Sequence, residues 1–230
     1  MRDFENRAAA GRRLAAELVD RHLVKPVVIA LARGGVPVAY EIARTLQAPL
    51  QVLLVRKIGA PIQPEFAIGA IADGDPPHTV FDSDSIALLN VPDSYLATET
   101  ARQIAEIERR RISYGIAATA QPLAGCTAIL VDDGIATGAT TRAALEALHA
   151  RHPAQIVLAV PVAATATIAQ LRAEVDEVVC LLSTDYFSSI GGFYRDFTQV
   201  DDAVVVDFLR RAPSVESSFL PSPPPEHRLR

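Results

Sequence analysis

At 230 residues, half of them hydrophobic, the chain is long enough to bury the core of one large domain. Its 27 acidic residues outnumber 22 basic ones, and the formal charge of −5 argues against nucleic acid and anionic membrane as partners. Two cysteines, Cys126 and Cys180, sit in separate apolar runs with no metal-ligand spacing and read as buried thiols of a reducing compartment.

Met1 to Leu18 mixes charge with alanine and has no continuous apolar stretch, so it does not read as a signal peptide. No apolar run approaches the roughly 18 residues that a membrane helix needs. A cytoplasmic location is the expectation. Phe4 to His22 has helical spacing, with Leu14, Leu18 and Leu23 apolar among arginines. Pro26 to Leu31 is a short strand, apolar throughout, running into Ala32-Arg33-Gly34-Gly35, and a helix follows from Val36 to Leu46. Leu50 to Val55 is a second strand. Arg56 to Asp75, rich in Gly, Pro and Ala, reads as a long loop, with at most a ribbon at Phe66 to Ile71. Asp93 to Tyr114 is a long helix whose charges at Glu106, Glu108 and Arg109 to Arg111 form a solvated face. Strands follow at Cys126–Val131, Gln155–Val160 and Glu177–Leu182, separated by helices over Thr137–Ala150 and Thr165–Arg172. An aromatic insert, Tyr186 to Thr198, precedes a last helix at Asp201 to Arg211. The tail to Arg230, with five prolines, is expected to be disordered. Fully apolar strands alternating with helices predict an α/β fold, a doubly wound, mostly parallel sheet with helices on both faces.

The strongest chemical signal is Ala128-Ile-Leu-Val-Asp132-Asp133-Gly134-Ile135-Ala136-Thr137-Gly138-Ala139-Thr140-Thr141. A buried strand ends in two carboxylates, then a short loop of glycines and threonines opens a helix. Free N–H groups and the positive end of the helix dipole suit a phosphate there. The acidic pair would repel a phosphate, but it can accept hydrogen bonds from sugar hydroxyls or hold Mg²⁺. Such a loop asks for a ligand with a phosphate at one end and a diol beside it. A Walker loop is excluded for want of a lysine, and no Gly-x-Gly-x-x-Gly follows a strand.

This run resembles the phosphoribosyl pyrophosphate (PRPP) signature of type I phosphoribosyltransferases. The resemblance implies that Asp132 and Asp133 take the ribose diol and bind Mg²⁺, with Asp133 the more directly aimed. It places Gly134, Ile135, Ala136, Thr137, Gly138, Ala139, Thr140 and Thr141 around the 5-phosphate. Ala32-Arg33-Gly34-Gly35 is similar to the pyrophosphate loop of xanthine-guanine enzymes, and bare glycine backbone with an arginine fork suits a diphosphate. By the same resemblance the Ala32–Arg33 peptide is expected to be cis when ligand is bound. Arg56-Lys57-Ile58-Gly59-Ala60-Pro61, with Pro64-Glu65 beyond, lies where the family carries a flexible lid, about residues 56–75. It is similar to a bacterial subgroup of the family, and implies that Arg56 and Lys57 reach the pyrophosphate. A hood over about 184–199 would offer Phe193, Tyr194 or Phe197 to stack on a base, or merely to pack beneath it.

The resemblance covers residues 1–211 and implies transfer of a phosphoribosyl group from PRPP to a nitrogenous base or amine. Asp132, Asp133, Arg33 and Lys57 would be the catalytic set. The alternative is a non-catalytic PRPP-sensing regulator of the same fold. Family enzymes acting on 6-oxopurines carry an aspartate where this chain has Ala136, so those bases are not the expected acceptors. A homodimer is expected.

Overall fold

A computed structural model describes residues 3–64, 66–74, 76–116 and 122–213. Strands β1 (Val27–Leu31), β2 (Leu50–Leu53), β6 (Thr127–Val131), β7 (Gln155–Ala164) and β8 (Glu177–Thr184) form a parallel sheet in the order β2-β1-β6-β7-β8. Every residue of β1 and β6 is buried. Alternate side chains of these strands serve opposite cores. Val28, Ala30, Ile129 and Val131 pack with Leu14 and Leu18 of α1 (Arg7–Leu18), Val38 and Ile42 of α2 (Gly35–Leu46), and Val205 of α7 (Asp202–Arg211). Val27, Ile29, Ala128 and Leu130 pack instead with Ala143, Ala144 and Leu148 of α5 (Ala139–His149) and Ile168 of α6 (Thr165–Leu171). The expected doubly wound sheet, with helices on both faces, is what the chain builds.

The stretch from Arg56 to Asp75 is not the long loop its composition suggests. β3 (Val55–Gly59) pairs antiparallel with β4 (Ala67–Ala72), and β4 with β5 (His78–Phe81), so that much of the stretch is sheet. Alternation is hidden because both faces are covered. Val55, Ala70 and Ala72 join the core of α5, whereas Ile71 packs with Ile107 of α4 (Asp93–Tyr114). β5 and the short α3 (Ser83–Leu88), whose N-cap Asp82 accepts from the Ser85 N–H, were not expected from composition.

Strand β7 runs past Pro161, where the sequence pattern had suggested an end. The proline, which has no N–H to donate, falls between the paired positions Val160↔Cys180 and Val162↔Leu182. Both cysteines are half-buried rather than fully buried; Cys180 lies on β8, an edge strand of the sheet. Glu65 and the tail from residue 214 lie outside the described residues. Among the described residues no helix is long and apolar enough to cross a membrane.

Candidate active site

In an open parallel sheet, ligands bind beyond the carboxyl ends of the strands, where successive connections leave in opposite directions. Here α2 carries the chain from β1 to β2 on one side, while β6 lies on the other side of β1. The loops after β1 and β6 therefore flank the crevice.

These two loops touch. A Cβ on Gly34 would lie 2.6 Å from Cγ of Asp133, and one on Gly35 2.6 Å from the Val131 carbonyl oxygen. Only glycine admits that approach. Gly34→Ala should accordingly unfold about 1–3 kcal/mol more easily than wild type, read as a lower urea-denaturation midpoint. An unchanged midpoint would mean that the loops have room to spare. The Ala32–Arg33 peptide is cis, as the resemblance led us to expect for the bound state.

Asp133 is 6% exposed and held from several directions. Arg7 Nε, from the first turn of α1, donates to its Oδ2 at 2.7 Å, and both side chains are about nine-tenths buried. Arg7 also donates through Nη1 to the Thr198 carbonyl (2.8 Å) and lies 3.7 Å over the Phe197 ring. The Tyr194 hydroxyl donates to the Asp133 carbonyl at 2.6 Å. Asp132 is the more open of the two acids, and its Oδ1 accepts the Asp133 N–H (2.8 Å). Burial, and then the neighbouring Asp133, holds the Asp132 carboxyl well above the usual carboxylate range, with Arg7 and Lys57 pulling against it. Burial raises Asp133 as well, opposed by Arg7. Arg7 thus occupies one oxygen of Asp133, the acid expected to be aimed more directly at a ligand, whereas Asp132 is the residue left partly exposed.

The phosphate-type loop divides by burial. Ile135 is stitched to β7, donating to the Val162 carbonyl (2.9 Å) and accepting from the Ala164 N–H (3.0 Å). Gly134, Ile135, Gly138 and Thr141 are buried, whereas Ala136 and Thr137 are exposed and Ala139 and Thr140 are half-buried. Gly138 caps α5 with a φ of 79°, a left-handed conformation natural to glycine, and the helix start presents its free N–H groups here. Thr141 is only 2% exposed. Thr167 Oγ1 donates to the Ala136 carbonyl (2.7 Å) and Arg142 Nη1 to that of Thr137 (3.3 Å), fixing the loop from behind.

The cations split. Lys57 is exposed, and its charge favours the ionised form of Asp132. Arg56, its neighbour on β3, turns to the other face and donates through Nε to Gln103 Oε1 of α4 (2.9 Å), so the two are not brought to one anion as expected. Arg33 Nη1 lies 3.5 Å from Asp202 Oδ1 at the start of α7. The hood residues also divide. Tyr194 is 1% exposed between the rings of Phe4 (5.4 Å) and Phe197 (5.0 Å). Tyr194 and Phe197 thus follow the packing reading rather than the stacking one. Phe193 is half-buried against Phe187 (5.3 Å). Arg7, Thr167, Arg142 and Asp202 were not anticipated. No local pattern marks them, since each meets the site from a distant element.

The description phosphoribosyl transferase domain matches residues 2–198. Two provisionally named phosphoribosyl transferases of Mycobacterium tuberculosis, strains CDC 1551 and H37Rv, are each 42% identical to the chain over 212 residues. The chain is covered to 92% and spans about half the length of these relatives, 47%. The crystal structure of TT1426 from Thermus thermophilus is 41% identical with a TM-score of 0.76, covering 92% of this chain and 99% of that one. With Asp132-Asp133 at the crevice and a match over nearly its whole length, the chain belongs to the phosphoribosyl transferase domain family.

Proposed function

We propose that the chain transfers the 5-phosphoribosyl group of PRPP to a nitrogenous base or amine, releasing pyrophosphate. The observation that carries this reading is the contact of the Gly34 loop with Asp133, which sets a diphosphate-type loop against a diol-type acid at one crevice. The 5-phosphate would sit on the backbone of Ala136 to Thr140 at the start of α5. Asp132 would accept from the ribose hydroxyls. The diphosphate would lie on the backbone of Gly34 and Gly35, within reach of Arg33 and Lys57.

The residues present fit a Mg²⁺ ion shared with the substrate. Among the described residues the two adjacent acids have one ion-paired cation between them, Arg7 on Asp133. Among the described residues no group of three or more His, Cys, Asp or Glu could hold a metal by itself, which suits a cation that keeps one or two carboxylates and takes its other ligands from phosphates and water. Asp132 and Asp133 would be its protein ligands, and when bound it supplies charge neutralisation to the diphosphate.

As the bond from ribose C1 to the diphosphate lengthens, positive charge would grow on the sugar beside Asp132, and negative charge near Arg33 and Lys57. Catalysis then rests on position and charge, with no covalent nucleophile. Assaying pyrophosphate release from PRPP and Mg²⁺ against a panel of bases and amines tests the reading. Release that depends on an acceptor is expected; PRPP binding with no release on any acceptor would make the protein a sensor instead. Guanine, hypoxanthine and xanthine should be poor acceptors, because the exposed Ala136 has no proton to exchange with a purine nitrogen. A kcat/KM of about 10⁴ M⁻¹s⁻¹ or more with any of the three would refute this.

A further inference from the structure

Arg33 has an unusual partner for a residue of a diphosphate loop. Its guanidinium meets Asp202, in the first turn of α7, with Nη1 3.5 Å from Oδ1. The same carboxylate accepts a 2.6 Å hydrogen bond from the Tyr114 hydroxyl at the end of α4, and its Oδ2 lies 3.9 Å from Arg109 Nη2. Asp202 and Arg33 are each about one-third exposed, so the pair is open to exchange with a solute anion. Further arginines stand nearby: Arg56 loses proton affinity to burial first and then to Arg110, with Glu106 opposing and Arg102 and Arg33 adding to the loss. Burial and the Asp202 contact push the Tyr114 phenol up to about 12, so it stays a donor throughout the physiological range. The helix bearing Asp202 begins beyond residues 2–198, which the family description matches.

From these contacts the geometry points to Asp202 as a positioning residue for Arg33, a counter-ion that holds the arginine at the rim of the crevice and competes with the incoming diphosphate for it. The inference rests on the reading of Arg33 as a diphosphate ligand. When a diphosphate arrives, Arg33 exchanges one anion for another. Asp202 is not left bare, because Tyr114 and Arg109 remain on it. The cost is a fixed negative charge beside the diphosphate, which weakens its binding and favours its departure as a product. The affinity of the site for pyrophosphate is thus set partly by the C-terminal helix.

Titration calorimetry with pyrophosphate on the full chain tests this. Arg33→Ala should bind it more weakly than wild type, and Asp202→Asn about three- to tenfold more tightly. Tyr114→Phe, which loses the hydroxyl and keeps the charge, should stay within about twofold of wild type at moderate salt. A purely structural role for Asp202 would instead weaken both the Asp202 and Tyr114 variants together. Should Asp202→Asn misfold, Asp202→Ser removes the same charge at a helix start that tolerates serine. Unchanged or weaker binding by the neutral variant overturns the inference while leaving the phosphoribosyl reading in place. Unchanged binding by Arg33→Ala overturns it as well. Failure of wild type itself to bind pyrophosphate would overturn the reading of the diphosphate loop, and this inference with it.

Discussion

Arg7→Met should lower the free energy of unfolding by about 3–5 kcal/mol, the usual loss when one member of a buried ion pair is removed. The methionine fills much of the arginine volume, so the effect isolates the charge and its hydrogen bonds. Asp133 would keep its burial and lose the cation 2.7 Å away, while the Thr198 carbonyl would lose a donor. Lysine should not rescue it fully, because the planar fork serves Asp133 and Thr198 at once and stacks on Phe197. The loss also has a pH signature. Burial already raises the Asp133 pKa above its ordinary 3.8, and removing Arg7 raises it further. A raised folded-state pKa means stability that is present at low pH and lost as pH rises through that pKa. The gap between variant and wild type should therefore widen from pH 4 toward neutrality. Urea titrations across that range measure it; a loss below about 1 kcal/mol at neutral pH would show that Asp133 does not depend on Arg7.

Asp132→Asn should separate binding from stability. The asparagine removes the more exposed of the two acids, and with it the proposed charge-assisted hydrogen bond to the ribose diol, a loss of about 1.5–3 kcal/mol, or roughly ten- to 150-fold in PRPP affinity. Its melting temperature should not fall. Wild-type Asp132 ionises reluctantly beside Asp133, so a neutral amide relieves repulsion instead of breaking a favourable pair. Joint replacement of Asp132 and Asp133 would abolish PRPP binding too, but the second change disturbs Arg7 and mixes folding with function. Calorimetry with PRPP and Mg²⁺, beside a thermal melt, gives both readings. Wild-type affinity in the single variant would remove Asp132 from the site.

The sheet was legible in the sequence because its strands are short, apolar throughout and bounded by helical periods, as Val27–Leu31 and Thr127–Val131 illustrate. The hairpin from Val55 to Ala72 was legible only in its second strand, the ribbon expected over Phe66 to Ile71, which is β4. Alanine and glycine on its covered faces leave no contrast for a period of two to show. The crevice loops were legible as local grammar: strand, acids or glycines, then helix. What escaped is everything that arrives from elsewhere. Arg7 meets Asp133 across 126 positions and Arg56 leaves Lys57 for Gln103 on α4, and neither choice is written in the neighbouring residues. The hood aromatics were visible as a cluster, but whether rings such as Tyr194 serve a ligand or a core depends on the packing of Phe4, which is far from them in the sequence.

The tether between that first segment and the hood has a consequence for how the protein is made. Phe4 N–H donates to the Phe193 carbonyl and Arg195 N–H to that of Phe4, while Arg7 reaches Thr198 across 191 positions. Contacts this distant in the chain carry a large loop-closure cost and form late. During synthesis, residues 4 to 7 leave the ribosome long before residues 193 to 198 and must wait for them. Until then Arg7 lacks the Thr198 carbonyl and the Phe197 ring that fix it, and Asp133 lacks the Tyr194 hydroxyl on its carbonyl. The parallel sheet can assemble earlier, strand by strand, but the crevice matures only when the two segments are spliced. A nascent chain stalled before residue 193 should thus be folded in its sheet and unable to bind PRPP.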